Sequence, residues 1–407
     1  MIETKFKQTE VGLIPEDWKV VSLGKVISFL PNNTLSRDYL SKDGLIKNIH
    51  YGDVLIKYGA VLDVSNTCIP AVNTKLIPSF TPNQYAKNGD IIIADTAEDD
   101  TVCKTTELFN IKSTKVVSGL HTMWGRPESG IFISKYLGYF MNSAFYHNQV
   151  LPLIQGTKVS SVAKSAIKST ILVLPPATEQ SNIANVLTDI DSLLLSLDNL
   201  ITKKKAIKEG AMQQLLTGKK RLKGFDEPWV EKKIGDCLSI GNGRDYKHLT
   251  KGNVPVYGTG GLMCYVSDYL YNGETVCIGR KGTIDTPFFH KGRIWTVDTL
   301  FFTHSFIGVV PKYTYYLFTQ IKWKELNEAT GVPSLNKNNI LSVKVKLPTL
   351  LEQQAIAQVL TNMDIEISAL EAKRKKYESV KQGMMQQLLT GKIRLTSTPK
   401  RETLFFS

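Results

Sequence analysis

Apolar residues recur on alternating steps of three and four in two long stretches of the chain. One stretch carries Ile183, Leu187, Ile190, Leu194, Leu197, Ile201, Ala211 and Leu215, with Lys204 and Lys208 at the gaps. The other carries Ile356, Leu360, Met363, Ile367, Leu370, Tyr377, Met384 and Leu388, with Arg374 and Lys381 at the gaps. This spacing predicts two α-helices with a heptad seam interrupted by basic residues. Pro175-Pro176 and Pro348 precede the stretches, and Gly218 and Gly391 follow them, the expected helix boundaries. A helix of about 39 residues spans ~58 Å at ~1.5 Å per residue and does not stand alone in water. Each needs an apolar partner, and the other is the nearest candidate, so an antiparallel coiled-coil pair is expected.

The two stretches are copies. Glu179 to Leu222 overlays Glu352 to Leu395 at a constant offset of 173, without a gap, and half the positions are identical. The close is nearly verbatim, Met212-Gln-Gln-Leu-Leu-Thr-Gly-Lys219 against Met385-Gln-Gln-Leu-Leu-Thr-Gly-Lys392. On the same offset Leu174-Pro175 matches Leu347-Pro348, and on another Trp18-Lys-Val-Val-Ser-Leu-Gly24 matches Trp229-Val-Glu-Lys-Lys-Ile-Gly235. The segments between these anchors, about 28 to 158 and 239 to 331, hardly resemble each other. A repeated frame thus holds two different fillings, a pseudo-twofold organisation.

The fillings change period. Asp90-Ile-Ile-Ile-Ala94, Glu274-Thr-Val-Cys-Ile278, Arg293-Ile-Trp-Thr-Val297 and Thr299-Leu-Phe-Phe-Thr303 read as strands between glycine and asparagine turns. Helices are expected over Lys135 to Val150 and Lys312 to Glu328. The fold class is α+β, with two mixed α/β domains separated by the two long helices.

A length of 407 residues, 42% of them hydrophobic and 21% charged, is ordinary globular composition with ample core. A net charge of +13 points to a polyanionic partner. Cys68, Cys103, Cys237, Cys264 and Cys277 are odd in number and lack a C-x-x-C pair, so neither a disulfide frame nor a zinc site is expected. The N-terminus lacks an apolar signal core, and no stretch reaches the ~18 apolar residues of a membrane span, so a cytoplasmic location is expected.

Candidate chemistry concentrates in the second filling. Pro255-Val-Tyr-Gly-Thr-Gly-Gly261, Gly279-Arg-Lys-Gly-Thr283 and Trp295-Thr-Val-Asp-Thr299 combine glycines for close backbone approach with basic and stacking groups. Tyr257, Thr259, Arg280, Lys281, Thr283 and Trp295 are therefore candidate DNA-binding residues; the alternative is that the glycines mark hairpins and the aromatics are core. Lys47, His50, Tyr51, Lys57, Tyr58 and Lys104 form a looser basic and aromatic set in the first filling. Lys203-Lys204-Lys205 and Lys373-Arg374-Lys375-Lys376 are either a solvated face or a surface for phosphate or an acidic partner.

Asp90, Asp95, Glu98, Asp99 and Asp100 form the one acidic cluster that could hold magnesium for a nuclease. A loop of acids after a strand is more often a solvated turn, and no Glu-x-Lys follows in nuclease register. P-loop, dinucleotide-binding and amino-methyltransferase signatures are absent. No catalytic residue, cofactor site or metal site is expected in this chain.

The duplicated Glu-Gln-x-x-Ile-Ala-x-Val-Leu at 179 to 187 and 352 to 360, the Leu-Pro lead-ins, the Trp anchors, Tyr257-Gly-Thr-Gly-Gly and Ile278-Gly-Arg-Lys-Gly-Thr283 resemble the specificity subunits of type I restriction-modification systems. Asp95-Thr-Ala-Glu-Asp99 resembles a target-recognition passage rather than a catalytic one. The resemblance covers essentially the whole chain. It implies a first target-recognition domain over 1–178, a repeated helix over 179–222, a second recognition domain over 223–349, a repeated helix over 350–395 and a tail over 396–407.

It further implies a non-enzymatic reader of double-stranded DNA that docks two modification (methyltransferase) subunits and, through them, restriction (motor-nuclease) subunits. S-adenosylmethionine, ATP and magnesium then belong to the partners. Gln213, Gln214, Lys219 and Arg221, identical to Gln386, Gln387, Lys392 and Arg394, are the expected docking residues on the helices. Unlike fillings imply an asymmetric bipartite target, and helix length would set its unread spacer, so that an insertion at Thr217 lengthens the spacer. A reader serving another methylation-based defence complex is the alternative.

Overall fold

Both long helices form, over Ala177–Leu215 and Leu350–Leu388, with 39 residues each. The computed structural model describes residues 4–73, 80–156 and 158–396; residues 397–407 of the expected tail lie outside them. The chain divides into two compact units, one of Met1–Ser196 with Arg374–Ser407, the other Leu197–Lys373. Each long helix is thereby shared between the units.

In the first unit a five-stranded sheet has the order Ile27–Leu30, Thr122–Pro127, Ile91–Ala94, Thr105–Phe109, Val61–Asp63. It is antiparallel except at the Val61–Asp63 edge. Ile91, Ile92, Ile93 and Ala94 are all buried, as the unbroken apolar run of a central strand requires. A four-stranded sheet, Lys115–Ser118, Ile46–Ile49, Ala71–Val72, Leu40–Ser41, lies beside it in the chain order. The start and end of the filling are tied by a two-stranded stem, Lys19–Ser22 with Ile171–Leu174. Ile183, Ala184 and Leu187 of the first long helix share one core with Met385 and Leu388 of the second, with Leu389 just past its end, and with Trp18 and Leu172 of the stem region.

In the second unit a six-stranded sheet has the order Ser239–Asn242, Leu300–His304, Tyr271–Gly279, Phe288–Thr296, Lys251–Gly258, Gly261–Val266. Its stem is Val230–Lys233 with Lys344–Leu347, matching the first. Met212, Leu215 and Leu216 share a core with Ile356, Ala357 and Leu360. Lys208 pairs with Asp364 and Lys204 with Glu366. Partners fall in number on one helix as they rise on the other, so the helices run antiparallel in this unit.

Two sequence expectations need correction. The helix expected over Lys135 to Val150 is broken into Tyr136–Met141 and Ala144–Val150, because the Ser143 hydroxyl accepts from Tyr146 N–H and caps a new start. The helix expected over Lys312 to Glu328 covers Pro311–Gln320 and gives way to a single 3-10 turn at Trp323–Leu326, where Trp323 Nε1 donates to Phe318 O.

Candidate nucleic-acid interface

The repeated frame positions each filling by the same set of contacts. In the first unit Glu179, buried in the first turn of its helix, accepts from Trp18 Nε1 at 2.9 Å and from Arg394 Nε and Nη2, both at 2.8 Å. In the second, Glu352 accepts from Trp229 Nε1 at 3.2 Å and from Arg221 Nε and Nη2 at 2.6 and 2.7 Å. Glu179 and Glu352, like Arg221 and Arg394, are 173 residues apart. The neighbouring glutamines complete the lock: Gln180 accepts from Ile133 N–H and donates to Pro175 O, and Gln353 accepts from Val310 N–H and donates to Pro348 O.

Lower on the helices the pattern repeats again. Asp191 receives Tyr139 Oη and Lys381 Nζ, and Asp364 receives Tyr316 Oη and Lys208 Nζ. Three of the basic interruptions of the heptad seam, Lys204, Lys208 and Lys381, are therefore answered by acids of the other long helix within each unit, and Arg374 pairs with Glu378 one turn on along its own helix. Lys204 and Lys205 meet Glu366 and Glu371 in the same way, so two lysines of the Lys203–Lys205 run already have an acidic partner surface.

Of the expected docking residues, Gln213, Gln214, Lys219, Gln386 and Lys392 are exposed and Gln387 is half-buried. Arg221 and Arg394 are committed inward to Glu352 and Glu179. These hydrogen bonds raise the pKa of both guanidiniums, and the bond from Arg394 lowers that of Asp17.

At one end of the second filling's sheet the three passages singled out in the sequence converge. The Gly258–Gly261 turn, Asp298 and Thr299, and Asp245 to Lys247 line a cavity of about 550 Å³. Arg280 and Lys281 N–H both donate to Thr299 O, and the Arg280 guanidinium reaches Asp298 O and lies 5.9 Å from the Phe301 ring. Arg280, Lys281 and Thr283 are exposed and Thr259 is half-buried. Gly279 is forced, because a Cβ there would collide with the backbone of Thr283.

Two aromatics in this region sit differently from expectation. Trp295 is 5% exposed and packs with Val254, Val256 and Val266, so it offers no stacking face. Its Nε1 donates to Arg244 O and fixes the 242–250 loop. Tyr257 is half-buried, with its ring 5.0 Å from Phe288 and 5.7 Å from His290; burial raises its pKa. Arg244 and Lys247, exposed on the loop that Trp295 anchors, were not found by sequence reasoning, since the 242–250 loop carries no motif.

The looser set of the first filling is brought together only in part. His50, Tyr51, Lys57 and Tyr58 cluster about the short helix Tyr51–Ile56. His50 Nδ1 accepts from Gly52 N–H as its cap, and burial lowers its pKa. Tyr51 stacks edge-on against His121. Tyr58 is 4% exposed in the core, so its ring is structural. Lys47 is half-buried on the strand Ile46–Ile49. Lys104 meets the same helix from just before the strand Thr105–Phe109: its Nζ donates to Leu55 O, and burial, then the charge of Lys381, lowers its pKa.

The acidic cluster does not assemble. Asp90 is 1% exposed and its carboxylate receives Trp124 Nε1 and Arg126 Nε and Nη2. Asp95 lies against His121, and Asp99 closes a turn on Thr101. Among the described residues no group of three or more His, Cys, Asp or Glu side chains is placed to hold a metal ion.

A family model described as "Type I restriction modification DNA specificity domain" matches residues 15–209 and 226–380. Over 97% of both chains the sequence is 24% identical to the putative type I restriction enzyme MjaX specificity subunit of Methanocaldococcus jannaschii, and 22% identical to the MjaVIII specificity subunit of the same organism. The fold is similar to the crystal structure of a type-I restriction-modification system S subunit from M. genitalium, with TM-score 0.60 and 14% identity over 91% of this chain and 96% of that one. A chain from a study of complex assembly and conformational transition of the type I R-M system gives TM-score 0.54 at 15% identity, covering 93% of this chain and 99% of that one.

Proposed function

Because the chain belongs to the type I restriction-modification DNA specificity family, we propose that it reads an asymmetric bipartite DNA target, one half with each filling. The observation that carries this reading is the duplicated lock of Glu179, Arg394 and Trp18 with Glu352, Arg221 and Trp229. One frame presents two unlike sheets, and unlike sheets read unlike half-sites.

The geometry suits address rather than chemistry. In the second filling, glycine turns let a duplex approach the backbone, while Arg280 and Lys281 at the rim supply charge and donors for phosphates and guanine edges. In the first, Lys47, Tyr51 and Lys57 supply a comparable basic and polar surface. The glutamines and lysines just before and after the two helix ends, Gln213, Gln214 and Lys219 with Gln386, Gln387 and Lys392, all exposed but half-buried Gln387, form two equivalent docking patches for two methyltransferase subunits, which bring restriction subunits with them. S-adenosylmethionine, ATP and magnesium act in those partners, and this chain is non-catalytic. No helix among the described residues is long and apolar enough to cross a membrane, and a DNA reader of this kind works in the cytoplasm.

The test is to coexpress the full chain with the methyltransferase encoded beside it and map methylated adenines by single-molecule sequencing. A two-part asymmetric motif supports the reading. A palindromic motif, or no methylation that depends on this chain, overturns it.

A further inference from the structure

A buried carboxylate in the first unit holds two cations side by side at the mouth of a cavity. Asp53, fully buried on the helix Tyr51–Ile56, accepts on one oxygen, Oδ1, both Arg37 Nη2 at 3.1 Å and Lys57 Nζ at 2.9 Å. Its other oxygen receives Arg37 Nη1 at 3.4 Å. Lys57 comes from the turn after Asp53 on the same stretch, and Arg37 from the distant 3-10 turn Arg37–Tyr39. Gly52 makes room for the guanidinium, since a Cβ there would lie 3.0 Å from Arg37 Nη2.

One carboxylate cancels only one of the two charges, and both cations remain about half exposed. They line a cavity of about 360 Å³ together with Lys42, Ser41 and Cys68. The hydroxyl of buried Tyr58 has no hydrogen-bond partner among the described residues. A buried, unmet donor costs free energy until an acceptor reaches it.

Resting on the DNA-reading function above, we propose that Arg37 and Lys57, with Lys42 at the rim, clamp a backbone phosphodiester of the DNA, with Asp53 as the positioning residue. Asp53 holds Arg37 end-on through Nη1 and Nη2, so the guanidinium keeps its Nε–H edge, and Lys57 its remaining ammonium protons, as donors toward the cavity. Two cations held side by side with one charge uncancelled match the charge and the several acceptor oxygens of one phosphodiester, whereas a base edge carries no charge to answer them. Among the described residues lining the cavity none is aromatic, so a free nucleotide would find no ring to stack its base. The site therefore sets register and affinity and leaves sequence to other residues.

The experiment uses the full chain complexed with its methyltransferase and measures DNA affinity against salt concentration, together with the methylated motif. Each phosphate contact contributes about −0.9 to the slope of log K against log salt. Lys57→Gln and Arg37→Gln should each make the slope shallower by about one unit and leave the motif unchanged. Asp53→Asn should lower affinity as well, although it makes the domain more positive, because the two cations lose the charge that gathers them. Thermal melting of each variant separates loss of the clamp from loss of the fold, and exposed Lys57 carries the test if Arg37→Gln unfolds. An unchanged slope in Lys57→Gln, tighter binding in Asp53→Asn, or an altered half-site in any variant overturns the clamp. A wild-type complex with no salt-dependent DNA binding overturns instead the functional reading on which the clamp rests.

Discussion

Arg394 grips Glu179 through two parallel hydrogen bonds, Nε to Oε1 and Nη2 to Oε2, each 2.8 Å long. The pair joins residues 215 positions apart, ties the end of the second repeated block to the start of the first, and has its counterpart in Arg221 and Glu352. Glu179 is 1% exposed and also meets Trp18 Nε1. Removing the arginine leaves a buried carboxylate with its charge uncompensated, which costs about 3–5 kcal/mol. Arg394→Ala should therefore destabilise the first unit by that amount in denaturant unfolding, and Arg221→Ala should likewise destabilise the second. Replacing both partners, Arg394→Met with Glu179→Gln, should cost much less. Equal losses in the single and the double variant would show that packing, not charge, sustains the lock.

The glycines that end the two blocks should differ in what they tolerate. Gly218 and Gly391 both have positive φ, +71° and +70°, which costs a residue with a Cβ roughly 1–2 kcal/mol. A Cβ on Gly218 would stand 3.4 Å from the Trp229 ring, ordinary contact, whereas one on Gly391 would collide with the Pro15 ring. Gly391→Ala should thus lower the melting temperature clearly more than Gly218→Ala. Calorimetry of the two variants in the full chain checks the order, and equal shifts would exclude the steric difference.

The heptad seam was legible because it is local: Ile183, Leu187, Leu197, Ile201, Ile356, Leu360 and Leu388 are buried as their spacing required. The repeated Glu-Gln was legible as a signature but not as a lock, since its partners Trp18, Arg394, Ile133 and Val310 are brought to it only by the fold. The lysines in the seam were ambiguous for the same reason; their acids lie on the other helix. Aromatic residues misled most. Tyr58 and Trp295 carry the same chemistry in a core as at a stacking surface, and nothing nearby in sequence tells which. Arg37, half of the clamp about Asp53, sits 16 residues from its partner in a stretch with no motif.

Glu107 gives the first unit a pH dependence. Its carboxylate, 2% exposed, accepts Lys135 N–H at 2.5 Å and Gly138 N–H at 2.9 Å. Burial pushes its pKa up to about 7 against the pull of those donors. The folded state then binds a proton more tightly than the unfolded chain, whose carboxyl titrates near ~4.3. This contribution is present in full below the unfolded value and is lost as pH rises through about 7. It amounts to roughly 3–4 kcal/mol across the window. Glu107→Gln should flatten the stability-pH curve between about 4.5 and 7, as followed by denaturant midpoints. A curve unchanged by the substitution would mean that another group carries the dependence.

Spacer length should follow the length of the long helices, and the contacts show where to change it. Thr217 is a poor site: its hydroxyl donates to Gln213 O beyond the helix end, beside Gly218 and the Trp229 ring, so an insertion there disturbs the cap. Leu200 falls between Glu179 and Arg221 in the sequence, and Ala372 between Glu352 and Arg394, so both lie inside the long helices and away from the lock residues. Seven residues added at both places keep the seam in phase and lengthen each helix by about 10 Å, the rise of ~3 base pairs. Methylation mapping should then show both half-sites unchanged and about three more unread base pairs between them. The same insertion in one helix alone sets the acids out of register with the lysines and should abolish methylation. An unchanged spacer in the doubly lengthened chain would mean that the helices do not measure the target.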